Sequence, residues 1–152
     1  MRLIVFEEVG RVKAITIHQP WATLIALGEK EFETRGWRTN YRGELAIHAG
    51  KKVDKDACKQ EPFRSVLAKY GLTADDLPTG AIVGTCLLTE CLQVKEHTGF
   101  YALAGDSKHR IEGNEYAFGW YELGRFAWKL TNVKQIERIS VRGRQGLWNW
   151  NE

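Results

Sequence analysis

A short segment near the start of the chain carries side chains that could bind or transform a charged ligand. Lys30, Glu33 and Arg35 follow Gly28 with the spacing G-x-K-x-x-E-x-R. Lys30 could present an ammonium to a phosphate, or act as a base if burial lowers its pKa. Arg35 has a planar fork of donors for a phosphate or a nucleobase, and Glu33 could accept hydrogen bonds from base N–H groups. These residue types favour recognition of a nucleotide-like ligand.

Each of these residues also has a purely structural interpretation. Gly28 follows an apolar helical stripe, so it could cap a helix with a positive φ, or leave space for a ligand to approach the backbone. Glu33 and Arg35 are two residues apart and would lie on one face of a strand, where an ion pair could position the following loop. Lys30 would lie on the opposite face unless it precedes the strand.

An aromatic and basic loop is predicted directly after the motif, at residues 36–43. Trp37 is flanked by Gly36 and Arg38 in this polar stretch, which makes it the best candidate for stacking on a base, an interaction worth ~1 to 3 kcal/mol. Trp21 recurs with apolar residues at helical spacing, which favours a place in the core. The predicted nucleic-acid-binding residues are Gly28, Lys30, Glu33, Arg35, Trp37 and Arg38.

Six of the arginines form two clusters that are far apart in the sequence. The net charge is only +3, from 22 Lys and Arg against 19 Asp and Glu, which is too small to identify a nucleic-acid-binding protein by itself. The two arginine clusters are Arg35, Arg38 and Arg42, and Arg138, Arg142 and Arg144. They would form one surface only if the fold brings the two ends of the chain together.

Possible metal ligands are few. His18 and His48 are each predicted at the end of a strand, and a pair of histidines could bind a metal or exchange protons. The sequence places no cysteine, aspartate or third histidine beside them, so neither a metal nor a cofactor is expected. The three cysteines are odd in number and lack C-x-x-C spacing, which favours reduced thiols over a disulfide framework or a zinc site.

The hydropathy of the chain does not indicate a membrane or secreted protein. The longest apolar runs, such as residues 81–88, are far shorter than the ~20 residues that a membrane-spanning helix needs. Glu7 and Glu8 interrupt the first apolar run, whereas a secretory signal needs a continuous one. We therefore expect a cytoplasmic location and no membrane partner.

The spacing of apolar residues predicts a mixture of strands and short helices. Strands are predicted at residues 12–17, 31–34, 44–48, 81–94 and 126–136, with a bulge at Gly84. A helix of about two turns should begin near Pro20 and end at Gly28. A longer helical region should extend from an N-cap at Asp54 to Gly71, with Pro62 marking a break or a new first turn. Residues 97–114 are predicted as a loop with a helical turn, and a Gly-rich tail that ends in LWNW follows the last strand.

These elements predict one α+β domain over residues 1–152. A chain of this length has room for one hydrophobic core, and 43% hydrophobic with 27% charged residues is ordinary for a globular protein. Several strands with two helical regions could form either a curved sheet or a small barrel. The predicted elements alone do not choose between these two.

The motif and its flanking segments resemble the ASCH family. The resemblance rests on G-x-K-x-x-E-x-R together with HQPWA before it, RGELAIHAG after it, and the later segments GRFAWKLTNV and GRQGLWNW. It covers nearly the whole chain. The resemblance implies a PUA-like small β-barrel with flanking helices, a cleft beside the motif, and an association with RNA.

Within this family, the resemblance leaves binding and catalysis open. Binding implies RNA, another single-stranded nucleic acid or a nucleoside in the cleft. Some ASCH proteins resemble amidohydrolases of N4-acetylcytidine, in which a lysine activates a threonine in the form G-x-K-x-x-T-x-R, and others are ribonucleases. Here Glu33 occupies the threonine position, and Thr34 should face the opposite side of the strand. An enzyme would have to use Lys30 and Glu33, so binding is favoured. A third alternative is a protein-interaction domain of the transcription-coactivator type.

Overall fold

Short helices and longer strands alternate along residues 12–150, which are the residues that the computed structural model describes. The strands are β1 (Val12–Gln19), β2 (Phe32–Arg35), β3 (Gly43–Val53), β4 (Ala81–His97), β5 (Tyr101–Ala104), β6 (His109–Glu112), β7 (Phe126–Ser140) and β8 (Leu147–Trp150). The helices are α1 (Trp21–Ala26), α2 (Lys55–Lys59), α3 (Phe63–Lys69) and α4 (Gly113–Phe118), with a 3-10 turn at Ala74–Asp76. The predicted α+β class is confirmed.

Most strands belong to one mixed sheet. Six strands pair in the order β2-β7-β4-β3-β1-β8, and the β5–β6 hairpin pairs with the C-terminal end of β4. Strand β1 runs parallel to β3, whereas the other neighbours in this order are antiparallel. The pairings within residues 12–150 do not join β2 to β8, so the sheet is an open path. A closed PUA-like barrel stays a prediction.

The long central strand β4 bends at Gly84, where a bulge is predicted. Its pairing with β7 shifts register between Ile82 and Gly84, as a β-bulge requires. A Cβ at position 84 would lie 3.0 Å from the carbonyl oxygen of Lys134 and 3.2 Å from the Cβ of Ala26 in α1. Glycine therefore lets α1 pack directly on the sheet, which fixes the end of the helix where the motif begins.

Helix α1 connects two parts of the core. Ile25 packs with residues of the main sheet, whereas Leu24 packs against the apolar face of α3. Trp21, predicted in the core, is only partly buried and packs against both clusters. Its Nε1–H donates to the carbonyl oxygen of Phe118 (2.8 Å). The helix is held from both sides, and little freedom remains for the turn that follows it.

The second helical region has the predicted limits, and the break predicted at Pro62 is confirmed. The Asp54 side chain accepts a hydrogen bond from the Ala57 N–H (3.0 Å), so the predicted N-cap is confirmed. The region divides into α2 and α3 just before Phe63, and α3 ends shortly before Gly71, which has a φ of +69°. None of the helices within residues 12–150 has the length and apolar character that a membrane crossing needs. Glu7 and Glu8 lie outside the described residues.

Two sequence predictions about the second half of the chain need correction. Residues 97–114 do not form a loop, because β5, β6 and the start of α4 lie there. Ala102, Ala104 and Ile111 are buried in a satellite core under this hairpin. The Gly-rich tail also contains a strand, β8, whose pairing with β1 sets Trp150 opposite Val12. Four-residue strands are too short to show a periodicity, so pairing partners define them instead.

Candidate functional site

The helix cap predicted at Gly28 is confirmed. Gly28 has a φ of +77°, and its N–H donates to the carbonyl oxygen of Ile25 (2.9 Å). The N–H groups of Glu29 and Lys30 both donate to the carbonyl oxygen of Leu24 (3.0 and 3.1 Å). A Cβ at position 28 would meet no atom within 4 Å, so the positive φ is what favours glycine here. The cap turns the chain so that the next residues enter the interior.

Lys30 is buried rather than solvated. It precedes β2, its exposed fraction is 1%, and its ammonium donates to the carbonyl oxygen of Phe32. Burial lowers the pKa of the Lys30 ammonium, while the charges of Glu33 and Glu115 act to raise it. Lys30 is therefore a desolvated cation held between a backbone carbonyl and two carboxyl groups.

The ion pair predicted between Glu33 and Arg35 is present. The Nε of Arg35 lies 2.9 Å from a Glu33 carboxylate oxygen, and Glu33 is only 7% exposed. Arg35 also donates through Nη2 to the carbonyl oxygen of Thr16 in β1 (2.9 Å). The pair therefore connects β2 to β1, and it fixes the direction of the Arg35 guanidinium.

Glu115 is a supporting residue that the sequence analysis missed. Its carboxylate oxygens accept hydrogen bonds from the N–H groups of Glu31 (2.6 Å) and Phe32 (3.2 Å). Burial raises the pKa of the Glu115 carboxyl, and the charge of Lys30 acts to lower it. Helix α4 thus holds the motif turn from below. No local pattern indicates this contact, because it joins residues more than eighty positions apart.

A cavity of about 620 Å³ opens beside the motif, between β2, α2 and the segment that precedes β7. We call it the motif cavity. Its lining includes three cations and three carboxylates, namely Lys30, Arg35, Arg125, Glu33, Asp54 and Asp56. Formal charges in the lining therefore cancel. Thr34 also lines the cavity, contrary to the expectation that it faces away, and its Oγ1 accepts a hydrogen bond from the Trp120 N–H (3.1 Å).

Trp120 and Arg125 are further lining residues that the sequence analysis missed. Trp120 is 56% exposed, and the Arg125 guanidinium lies 4.0 Å from the centre of its ring. The Nε of Arg125 donates to the Trp120 carbonyl oxygen (3.0 Å), which holds the stacked pair in place. One signal could have revealed Trp120, since Gly119-Trp120 repeats the Gly-Trp sequence that marks Trp37.

A second cleft, of about 1090 Å³, adjoins the motif cavity. We call it the basic groove and define it by Arg35, Trp37, Lys51, Arg142 and Arg144, which line it with the rest of the loop 141–146. Strand β8 brings this loop beside β1, so members of both arginine clusters share one surface. The other members of the clusters line neither cleft; they are Arg38, Arg42 and Arg138.

The aromatic loop after β2 is partly anchored. Trp37 is 39% exposed and meets the buried Trp128 ring edge to face, with centroids 4.8 Å apart. The Arg38 guanidinium lies 4.8 Å from the centre of the Phe126 ring. Of the six predicted binding residues, Lys30, Glu33, Arg35 and Trp37 therefore line a cleft, while Gly28 and Arg38 support the elements around it.

The two histidines predicted at strand ends have different positions in the fold. His18 is exposed near the end of β1, whereas His48 is buried within β3 rather than at its end. His48 Nε2 lies 2.7 Å from the carbonyl oxygen of Val141, and Nδ1 lies 3.1 Å from the hydroxyl of Thr16. The part of the chain that the structure describes contains no group of three or more His, Cys, Asp or Glu suited to a metal ion.

The open mixed sheet, the short flanking helices and the charged motif beside a cavity define an α+β domain of the kind that the sequence predicts. The ASCH domain model matches residues 15–140. The chain therefore belongs to the ASCH family.

Two homologous proteins and two crystal structures are similar to this chain to different extents. Activating signal cointegrator 1 from Mus musculus and its counterpart from Homo sapiens are each 35% identical to this chain over 85 residues. The matched segment is 54% of this chain but only 15% of the length of either relative. The crystal structure of ASCH from Zymomonas mobilis has a TM-score of 0.54 at 13% identity, covering 93% of this chain and 89% of its own. A point mutant of that protein gives 0.51 at 15% identity, with coverage of 95% and 91%. At these identities the likeness shows the fold alone.

Proposed function

We propose that this ASCH domain binds single-stranded nucleic acid, RNA in particular, and that the motif cavity holds a nucleobase. The observation that carries the proposal is the exposed Trp120 ring at the cavity, held by the guanidinium of Arg125. A fixed and exposed indole offers a flat surface on which any of the bases can stack. The association of ASCH domains with RNA supports the choice of RNA over DNA.

The charge balance of the motif cavity suits a base better than a phosphate. A base edge presents donors and acceptors without a net charge, and the formal charges that line the cavity also cancel. Asp56 makes no ion pair within residues 12–150, so its carboxylate can accept from an amino group of the base. Glu33 is already paired with Arg35, and it acts mainly by holding that arginine.

Arg35 is the motif residue best placed to touch the ligand. Its Nε faces Glu33 and its Nη2 donates to Thr16, which leaves the N–H groups of Nη1 to donate to a base or a phosphate. Lys30 directs its ammonium at the backbone and sets the shape of the turn. The proposed contacts therefore come from Trp120, Asp56 and Arg35.

The test is equilibrium binding of a fluorescent single-stranded RNA of about twelve nucleotides, within the usual range of site sizes. We expect Trp120→Ala to weaken binding by about 1 to 3 kcal/mol, or roughly fivefold to 150-fold in Kd. The matched control is Phe100→Ala, since Phe100 is 83% exposed in another loop and lines neither cleft. Equal affinity of Trp120→Ala and wild type, or no RNA binding by the wild type, would overturn the proposal.

A hydrolase is the second candidate, and the burial of Lys30 favours it. Because burial lowers the pKa of the Lys30 ammonium, this cation releases its proton more readily near neutral pH than a solvated lysine does. Glu33 would take a proton from the attacking water, and Lys30 would stabilise the developing negative charge and donate its proton to the leaving group. The assay is RNA cleavage, or release of cytidine from N4-acylcytidines, with Glu33→Gln expected to lose turnover even at saturating substrate. Turnover that persists in Glu33→Gln would exclude this mechanism.

A further inference from the structure

The basic groove differs from the motif cavity in its charge. Within residues 12–150, four cations and no carboxylate line the groove, whereas cations and carboxylates balance in the cavity. A cleft with one sign of charge concentrates counter-ions, and for a basic cleft these are anions such as phosphates. The two clefts therefore suit different parts of one ligand.

We propose that the basic groove binds the sugar–phosphate backbone of the same strand whose base enters the motif cavity. This inference rests on the proposed function and makes it more specific, because the ligand becomes an extended strand rather than a free nucleoside or a mononucleotide. The groove supplies affinity through its charge, and the cavity selects through its contacts with a base.

The two clefts share part of their walls. Thr16, His18 and Arg35 line both of them. Arg35 lies at the junction, where its ion pair with Glu33 and its hydrogen bond to the Thr16 carbonyl oxygen fix its guanidinium. A strand that leaves the cavity past Arg35 would therefore meet the groove next.

The groove cations are available to a ligand. Arg142, Arg144 and Lys51 are exposed, and none of them forms an ion pair within the described part of the chain. Other surface cations, such as Arg64 and Lys129, are paired with nearby carboxylates. Phosphates that displace only water and counter-ions from these side chains would bind with a strong dependence on salt.

The groove also has an aromatic surface of its own. Trp37 lines it, is 39% exposed, and is fixed edge to face on the buried Trp128. Aromatic side chains beside a positively charged groove are the usual arrangement for sequence-tolerant binding of single strands. Trp37 and Trp120 would therefore stack on different bases of one strand.

The loop that carries Arg142 and Arg144 is held from beneath. His48 Nε2 must donate to the Val141 carbonyl oxygen, because a carbonyl can only accept. In the neutral ring Nδ1 then accepts from the Thr16 hydroxyl, which itself accepts from the Nε1–H of Trp148 (3.3 Å). This chain of hydrogen bonds fixes the base of the loop, so the backbone that carries the two arginines needs little ordering on binding.

The experiment compares groove variants with charge-matched controls on the same RNA of about twelve nucleotides. The groove variants are the double substitution Arg142→Ala with Arg144→Ala, and the single substitution Lys51→Ala. The controls are the double substitution Arg138→Ala with Lys52→Ala, which also removes two charges, and the single substitution Lys52→Ala. Both residues are exposed near the groove residues in sequence but line neither cleft. Thermal unfolding checks that each variant is folded.

We expect the double variant to bind RNA about tenfold more weakly at low salt. The slope of log K against log salt, between about 50 and 200 mM, should become shallower by about 1.4, since each phosphate contact on a single strand contributes about 0.7. Replacing both arginines by lysine should retain most of the slope, and binding of a mononucleotide should not change in the double variant.

The outcomes separate this inference from the proposed function. If the wild type binds RNA, Trp120→Ala weakens binding and the double variant has wild-type affinity and slope, the groove inference is wrong while the cavity proposal stands. If the double variant weakens binding and Trp120→Ala does not, the groove is supported and the cavity proposal fails. Equal losses in the groove variants and the controls would indicate only a diffuse charge effect, and would overturn the inference.

Discussion

Replacing Glu33 with glutamine tests whether the motif mainly stabilises the fold. Glu33 is 7% exposed and its carboxylate faces the Arg35 Nε at 2.9 Å. The charges of Lys30 and Arg35 also oppose each other, and the Glu33 carboxylate compensates both. Glutamine keeps the shape and one acceptor oxygen, but it removes the negative charge between the two cations.

The expected cost is about 2 kcal/mol of unfolding free energy, because the change removes the charge of one partner of a largely buried ion pair. The loss stays below the 3 to 5 kcal/mol typical of a fully buried broken pair, because Arg35 is partly exposed and keeps its bond to Thr16. For a chain of this size the corresponding fall in Tm is about 4 to 8 °C.

The assay is urea unfolding at neutral pH, with the slope m compared between the variants to verify a common transition. Glu31→Gln is the matched control, because Glu31 is two residues away and exposed, and it should change stability by less than about 0.5 kcal/mol. A loss in Glu33→Gln no larger than that of the control would refute the structural account of the motif, and would reassign the carboxylate to ligand contact.

The remaining predictions concern pH and the groove loop. Because burial lowers the pKa of Lys30 below its usual 10.5, the unfolded chain binds this proton more tightly, so stability from this group rises with pH between the lowered value and 10.5. The unfolding free energy of the wild type minus that of Lys30→Met should therefore increase as pH rises toward about 10. A difference that does not change with pH would contradict the burial of this ammonium. In Gly143→Ala, the new Cβ would lie 2.6 Å from His48 Cε1 and from Thr16 Oγ1, so the loop must shift. This change removes no charge, and we expect weaker RNA binding with a salt slope close to that of the wild type; unchanged affinity would show that the loop position does not matter.

Local rules predicted the motif well. Gly28 caps a short helix, and Glu33 pairs with Arg35 on one face of a strand. Both features depend on residues close in sequence, where helix ends and the alternation of strands constrain the geometry. The approximate limits of β4 and β7 and the N-cap at Asp54 follow from the same kind of rule.

Contacts between distant segments could not be predicted in this way. The Glu115 charge acts on Lys30 from α4, and the stacked pair of Trp120 and Arg125 reaches the motif from the far half of the chain. Strand β8 has only four residues, yet it brings the second arginine cluster beside the first. These features depend on strand order, which a single sequence does not specify.

The claim that one strand occupies both clefts is tested most directly by NMR. The tryptophan indole N–H signals are titrated with a single-stranded RNA of about twelve nucleotides. Trp120 lines the motif cavity, Trp37 lines the basic groove, and Trp150 lines neither. We predict that the signals of Trp120 and Trp37 shift together and give the same dissociation constant, while the Trp150 signal does not shift. Shifts confined to Trp150, or no shift of Trp120 and Trp37 at saturating RNA, would contradict it.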